Sequence, residues 1–300
     1  MIPCHGLQLR AVLIQALRTF FIDRGYLEVE TPLRIPASAP EAHIVPLTSE
    51  GWFLQTSPEL CMKRLLAAGI PRIFQICKCF RKGERGDRHL PEFTMLEWYA
   101  AQNDYRDLMA DCEALLRYLA AVMSKGGVLE WQGRKIDLVP EWERITVAEA
   151  FRRYAPCTVE EALAQDQFDE MLVEYVEPHL GMASPTFLYD YPAVLGALAR
   201  LSSDDSTVAE RFELYVAGLE VANGFSELAD PVEQRTRFLA EQQSIRLQDR
   251  DPGPLPEPFL EALESLPPAA GIALGIDRLV MLFVGAERID QVVAFTQEGL

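Results

Sequence analysis

Apolar residues recur at helical spacing through residues 7–24, where Val12, Leu13, Leu17, Phe20 and Phe21 share a side and Gly25 ends the run. The pattern predicts an amphipathic helix there, then a strand running on to Pro32 and a proline-rich connection to Pro46. Ser57 followed by Pro58 reads as an N-cap and first helical position, opening a helix that Gly69 closes. Arg72–Phe80 and residues 92–100 have strand character and flank a short polar loop, so an antiparallel pair is expected. Residues 104–124 read as a helix, and Val128–Trp131 and residues 135–138 bracket Gln132-Gly133 as a hairpin. Further on, residues 146–180 read as short helices and residues 186–191 and 211–220 as strands. Pro231–Leu247 reads as a helix, 249–256 as a Pro/Asp-rich loop, 258–266 as a short helix and Ile276–Val284 as the last long helix.

Strand-rich stretches that do not alternate regularly with helices predict a mainly antiparallel sheet flanked by helices, an α+β fold. No linker-like stretch, repeat or low-complexity tract divides the 300 residues. The chain therefore reads as one domain, 1–300, with 125–180 as an insertion or lid.

Composition narrows the class. With 49% hydrophobic residues the chain can build a large core, yet no segment is apolar and long enough to span a bilayer. The opening Met1-Ile2-Pro3-Cys4-His5-Gly6 lacks a charged region followed by an apolar run, so a cytoplasmic protein without a membrane partner is expected. Six cysteines show no framework spacing; Cys77 and Cys79 should share one side of a strand, and reduced thiols are expected. The formal charge of −17 argues against a broad nucleic-acid footprint, because such a surface must neutralise many phosphates.

The most informative segment is Phe80-Arg81-Lys82-Gly83-Glu84 … His89-Leu90-Pro91-Glu92-Phe93-Thr94-Met95-Leu96-Glu97-Trp98-Tyr99. Alternation places Phe93, Met95, Glu97 and Tyr99 on one strand face and Thr94, Leu96 and Trp98 on the other. An aromatic plane, a carboxylate and a phenol on one face make poor core and suit a ligand with a flat ring and an amine. Arg81 adds a planar fork that can grip phosphate or carboxylate with two hydrogen bonds. Gly271-Ile272-Ala273-Leu274-Gly275-Ile276-Asp277-Arg278-Leu279 is a second motif, with two glycines that admit close approach to the backbone and Arg278 in the first turn of a helix.

Together these segments resemble the signatures of class II aminoacyl-tRNA synthetases, the lysine-specific subclass in particular. Phe80-Arg81 through Glu97 is similar to that superfamily's motif 2, the Gly271–Leu279 stretch to motif 3, and Gly25-Tyr26-Leu27-Glu28-Val29-Glu30-Thr31-Pro32 to the dimer-interface motif 1. Thr56-Ser57-Pro58-Glu59-Leu60 and Glu220-Val221-Ala222-Asn223-Gly224-Phe225-Ser226-Glu227-Leu228 resemble the lysine-site segments. The likeness implies the catalytic core of that superfamily, a homodimer formed through motif 1, and use of ATP with Mg2+.

It also implies roles. Arg81 would hold the α-phosphate and the substrate carboxylate, and Arg278 the γ-phosphate while stacking on adenine. Phe93 would cover the other adenine face, Glu84 and His89 would position the nucleotide, and Val221 and Gly275 would line its site. Glu220 and Glu227, with Asn223 nearby, would hold Mg2+. Glu59, Glu97 and Tyr99 would surround two substrate ammonium groups, with Ser57 and Ala273 lining the same pocket.

Few residues precede the first motif, so an anticodon-reading OB-fold is not expected, and Ala273 stands where lysyl-tRNA synthetases carry glycine. Both features resemble the elongation factor P lysyltransferase family, truncated paralogues that activate (R)-β-lysine with ATP and transfer it to a lysine side chain of elongation factor P. Departures are Leu90, where asparagine is usual, and Gly83, where an acid is common. The expected substrate is lysine or (R)-β-lysine and the expected acceptor elongation factor P. The alternatives are a stand-alone ligase that charges another carrier, or a short lysyl-tRNA synthetase-like enzyme, although tRNA binding fits the acidic chain poorly.

Overall fold

The computed structural model describes residues 4–300. Helix α1 (Cys4–Ile22) ends three residues before Gly25, whose φ of +74° turns the chain back. The expected strand to Pro32 is only β1 (Leu27–Glu28), and short β2 (Arg34–Ile35), β3 (Leu47–Ser49) and β4 (Trp52–Leu54) follow. Helix α2 (Glu59–Ala67) begins one position later than expected, with Pro58 at its cap, but the Ser57 hydroxyl still accepts from the Glu59 N–H at 3.0 Å. β5 (Arg72–Phe80) and β6 (Glu92–Ala101) pair antiparallel as their pattern requires.

Asp104 caps α3 (Tyr105–Val122) in a reciprocal capping box with Asp107. The hairpin β7 (Val128–Trp131) and β8 (Arg134–Asp137) turns through Gln132 and Gly133, both at positive φ, and β9 (Glu143–Thr146) follows. Helices α4 (Val147–Tyr154), α5 (Val159–Ala164) and α6 (Phe168–Met171) carry their own apolar cluster, in which Phe151 and Phe168 meet Leu188 and Tyr215. β10 (Thr186–Pro192) comes next. The single strand expected at 211–220 is instead a hairpin, β11 (Val208–Val216) and β12 (Leu219–Ser226), because Ala217 and Gly218 both adopt positive φ and reverse the chain. After α7 (Pro231–Leu247) and α8 (Glu257–Ala262), β13 (Ala269–Gly275) runs directly into α9 (Ile276–Val284).

Eight strands form one sheet in the order β1-β5-β6-β13-β12-β11-β10-β9. Its five inner pairings are antiparallel, and only the edge pairs β1·β5 and β9·β10 are parallel. One face is sealed by the main core, where Leu17, Phe20 and Phe21 of α1 and Leu115 of α3 meet Leu96 and Trp98 of β6 and Leu279 of α9. Phe21 stacks on Phe74 at 5.0 Å, and each such buried aromatic or aliphatic side chain contributes ~1.5–3 kcal/mol through lost apolar surface. Because side chains alternate, the opposite face of β6 presents Met95, Glu97 and Tyr99 to a cleft. That cleft is the functional face. Among the described residues no helix is long and apolar enough to cross a membrane.

Candidate active site

The cleft has a volume of about 360 Å³ and lies over β6, β13 and β12. Arg81, from the end of β5, and Arg278, from the first turn of α9, both line it, together with Glu84, His89, Phe93, Glu220, Val221 and Gly275. Ser57, Glu59, Glu97, Tyr99, Asn223 and Ala273 line it too. Of the residues singled out by sequence, Glu227 alone stays out of the lining.

At one end, Arg278 donates to the Glu220 carbonyl at 2.8 Å and to Glu220 Oε2 at 3.1 Å, and its Nη2 abuts His89 Nε2. Burial, followed by the charge of Arg278, lowers the His89 pKa to about 4, so the ring is neutral near pH 7 and Nε2 accepts. The helix bearing Arg278 is pinned by Asp277, which accepts from Arg10 at 2.6 Å and from the Thr94 N–H at 2.7 Å. Arg10 also reaches the Thr94 hydroxyl at 2.9 Å, so α1, β6 and α9 share one polar knot. Arg81 is less constrained. Its Nε donates to the Thr56 carbonyl at 3.4 Å, Glu84 lies 3.8 Å away, and the guanidinium sits 5.2 Å over the Phe93 ring. Phe93 therefore carries Arg81 on its face as well as facing the cleft.

At the other end, Glu97 accepts from the Ser57 hydroxyl at 2.5 Å and from the Tyr99 hydroxyl at 2.7 Å. Burial and the nearby Glu59 charge outweigh those bonds and push the Glu97 pKa up to about 8. Beneath lies Lys63, which sequence reading missed. Its ammonium is 2.5 Å from Glu59 and 2.5 Å from Glu227. The four-residue spacing of Glu59 and Lys63 on a helix was a legible signal for that pair. Gly271 makes room here, since a Cβ at that position would stand 2.1 Å from the Tyr99 ring and 2.5 Å from Glu227 Oε1. A Cβ at Gly275 would make only ordinary contacts, the nearest at 3.7 Å.

Glu220 and Glu227, the carboxylates that the resemblance assigns to magnesium, stand near opposite ends of β12. Glu220 lines the cleft beside Arg278, whereas Glu227 lies behind the lining against Lys63. The hairpin that sequence reading ran together as one strand sets Glu213 opposite Asn223. Tyr215 pairs with Glu220, and Glu213, two positions earlier, lies on the same face of β11. The Glu220 charge helps to raise the Glu213 pKa, after burial. Glu213 is held by Arg211 at 2.8 Å, Asn223 at 3.1 Å and the Tyr191 hydroxyl at 2.6 Å. Asn223 thus belongs to the Glu213 group. Among the described residues no cluster of three or more His, Cys, Asp or Glu side chains could hold a metal by itself.

The five described cysteines with assigned state are free thiols, and Cys77 and Cys79 lie 3.9 Å apart on one side of β5.

The family model for class II tRNA synthetases (D, K and N) matches residues 5–299. Relatives that carry the name elongation factor P–(R)-β-lysine ligase match nearly the whole chain. The one from Pectobacterium carotovorum subsp. carotovorum (strain PC1) is 42% identical over 308 residues, covering 96% of this chain and 94% of its own. The protein from Proteus mirabilis (strain HI4320) is 40% identical, covering 95% and 93%, and that from Klebsiella pneumoniae (strain 342) is 39% identical, covering 98% and 95%.

Proposed function

Because the chain belongs to the class II tRNA synthetase family (D, K and N) and, within it, to the elongation factor P–(R)-β-lysine ligases, we propose that it activates (R)-β-lysine or lysine with ATP and transfers it to a lysine side chain of elongation factor P. The observation that carries this reading is that Arg81 and Arg278 open onto one cleft, which continues to Glu97, Tyr99 and the buried Lys63 group.

In the first step the substrate carboxylate attacks the α-phosphorus of ATP, an acyl–phosphate bond forms, and pyrophosphate leaves. Attacker and target are both anionic, so the barrier is lowered by fixed positive charge and alignment. Arg81 grips the carboxylate and α-phosphate, using its planar fork. Arg278 stabilises the departing phosphates, and Phe93, Glu84, His89, Val221 and Gly275 frame the nucleotide. Magnesium would supply further neutralisation of the phosphates, and Glu220 and Glu227 are the residues that would hold it. In the second step the neutral amine of the acceptor lysine attacks the acyl carbonyl, forming an amide and releasing AMP and a proton. No nucleophilic protein side chain is needed.

Glu59, Glu97 and Tyr99, with Ser57 and Asn223, match a substrate with two ammonium groups. The Ala273 methyl, paired in register with Glu97 and Asn223, narrows the floor and favours the β-amino isomer. The protein acts as a single catalytic unit with 125–180 inserted, as a cytoplasmic homodimer, on a protein acceptor rather than tRNA. Incubation with ATP, labelled (R)-β-lysine and either elongation factor P or tRNA tests the acceptor: label in the protein supports the reading, and label only in tRNA refutes it.

A further inference from the structure

The loop joining β2 to β3 places Glu41 in the lining of the cleft. That loop is pinned at several points. The Ala42 N–H donates to Glu241 Oε2 of α7 at 2.7 Å, Arg250 donates to the Ala42 carbonyl, and the Lys82 N–H donates to the Val45 carbonyl at 2.7 Å. The last bond fastens the loop beside Arg81, the residue next to Lys82. Among the described residues the Glu41 carboxylate has neither a hydrogen bond nor an ion pair, and the surface left to it opens on the cleft. Every other carboxylate of the amine-binding end is engaged: Glu59 and Glu227 by Lys63, and Glu97 by Ser57 and Tyr99. A held but unpartnered acid in a substrate cleft costs stability unless a ligand pairs with it.

We propose that Glu41 is a specificity-determining residue that binds the substrate ammonium nearer the carboxylate, while Glu97 and Tyr99 take the distal one. The inference rests on the diamino-acid reading given above. Its direction comes from placement: the Glu41 loop runs beside Arg81, which holds the carboxylate, whereas Glu97 and Tyr99 stand deeper on β6, next to Gly271. Electrostatics agree. Burial and then the Glu59 charge push Glu41 up to about 7, partly countered by Arg81, and an incoming ammonium relieves both penalties. Sequence reading passed over Glu41 because it lies in a proline-rich connection outside any motif.

ATP–pyrophosphate exchange with three acids tests the assignment: (R)-β-lysine, 3-aminohexanoic acid with only the proximal amine, and 6-aminohexanoic acid with only the distal one. Glu41→Gln keeps the shape and removes the charge. It is expected to raise KM at least ~10-fold for the two acids with a proximal amine, leave KM for 6-aminohexanoic acid unchanged, and alter kcat by less than ~3-fold. The 6-aminohexanoic acid arm also reports that the variant is folded, and Glu41→Asp should recover part of the loss. A KM for (R)-β-lysine within ~2-fold of wild type overturns the proposal, as does an equal rise for all three acids. Failure of the wild-type protein to turn over any diamino acid is a different result: it removes the reading on which the proposal stands, and the proposal with it.

Discussion

Lys63 and Glu227 form a 2.5 Å ion pair with side chains only 2% and 1% exposed, and the same ammonium reaches Glu59. A buried cation between two carboxylates lets the protein keep an acidic wall at the substrate site without excess repulsion. Removing one partner of such a group leaves charge buried and uncompensated. Lys63→Met should cost ~3 kcal/mol or more in urea denaturation. The cost should grow with pH, since the abandoned carboxyls escape the penalty only by holding protons. A loss under ~1 kcal/mol would mean that the ion pair is not what holds this wall together.

Substrate binding should release protons. Glu97 has a pKa raised to about 8, chiefly by burial, so it is largely protonated in the free protein near neutrality. An ammonium favours the ionised form and draws that pKa down. The apparent KM for the diamino acid should therefore fall as pH rises from about 6 toward 8 and then level off. Calorimetry of (R)-β-lysine binding in buffers of different ionisation enthalpy should register the released protons. Heats that do not depend on the buffer would contradict this account.

The same raised value carries a stability consequence of the opposite sense. A carboxyl whose folded pKa lies above its unfolded value near 4.5 contributes stability at low pH that is lost as pH rises through about 8. His89, lowered to about 4, contributes stability present above 6.5 and lost as pH falls through about 4.

The two glycines of the last motif are not equivalent. Gly271 has no space for a methyl group, because the Tyr99 ring and Glu227 fill it, whereas Gly275 has ordinary clearance. Gly271→Ala should cost ~2 kcal/mol or more and disable amino-acid binding, since overpacking must displace Tyr99. Gly275→Ala should leave the melting temperature nearly unchanged. Equal melting temperatures for the two variants would show that Tyr99 yields freely.

Much of this architecture was legible in the chain. The alternation of β6 placed Glu97 and Tyr99 opposite Leu96 and Trp98, and burial agrees, with Trp98 in the core and Glu97 on the cleft. Arg81 and Arg278 were readable as partners because each ends or begins a well-marked element. The β11–β12 hairpin was not, since its turn uses Ala217 at positive φ, a residue with no turn signature. Short β1 was overextended because strand propensity says nothing about whether a neighbouring strand is there to pair. Glu41 acts through spatial neighbours that no local pattern announces, and so does the contact of Lys63 with Glu227, although the Glu59–Lys63 spacing was readable.

Arg278→Ala should lower adenylate formation about a thousandfold, the scale seen when a preorganised donor to developing charge is removed. Because Arg278 is the second cause of the depressed His89 pKa, the same variant should move that ring back toward 6.5 in an NMR titration. Lost activity with an unmoved His89 would point to misfolding of the cleft instead.

The most direct test of the whole account is ATP–pyrophosphate exchange by the wild-type protein across a panel of amino acids. The expected result is exchange driven by (R)-β-lysine or lysine, none by neutral amino acids of similar length, and loss of exchange in both Arg81→Ala and Arg278→Ala. Exchange with no diamino acid, or exchange that survives both substitutions, would contradict the claim that two guanidinium groups activate a diamino acid in this cleft.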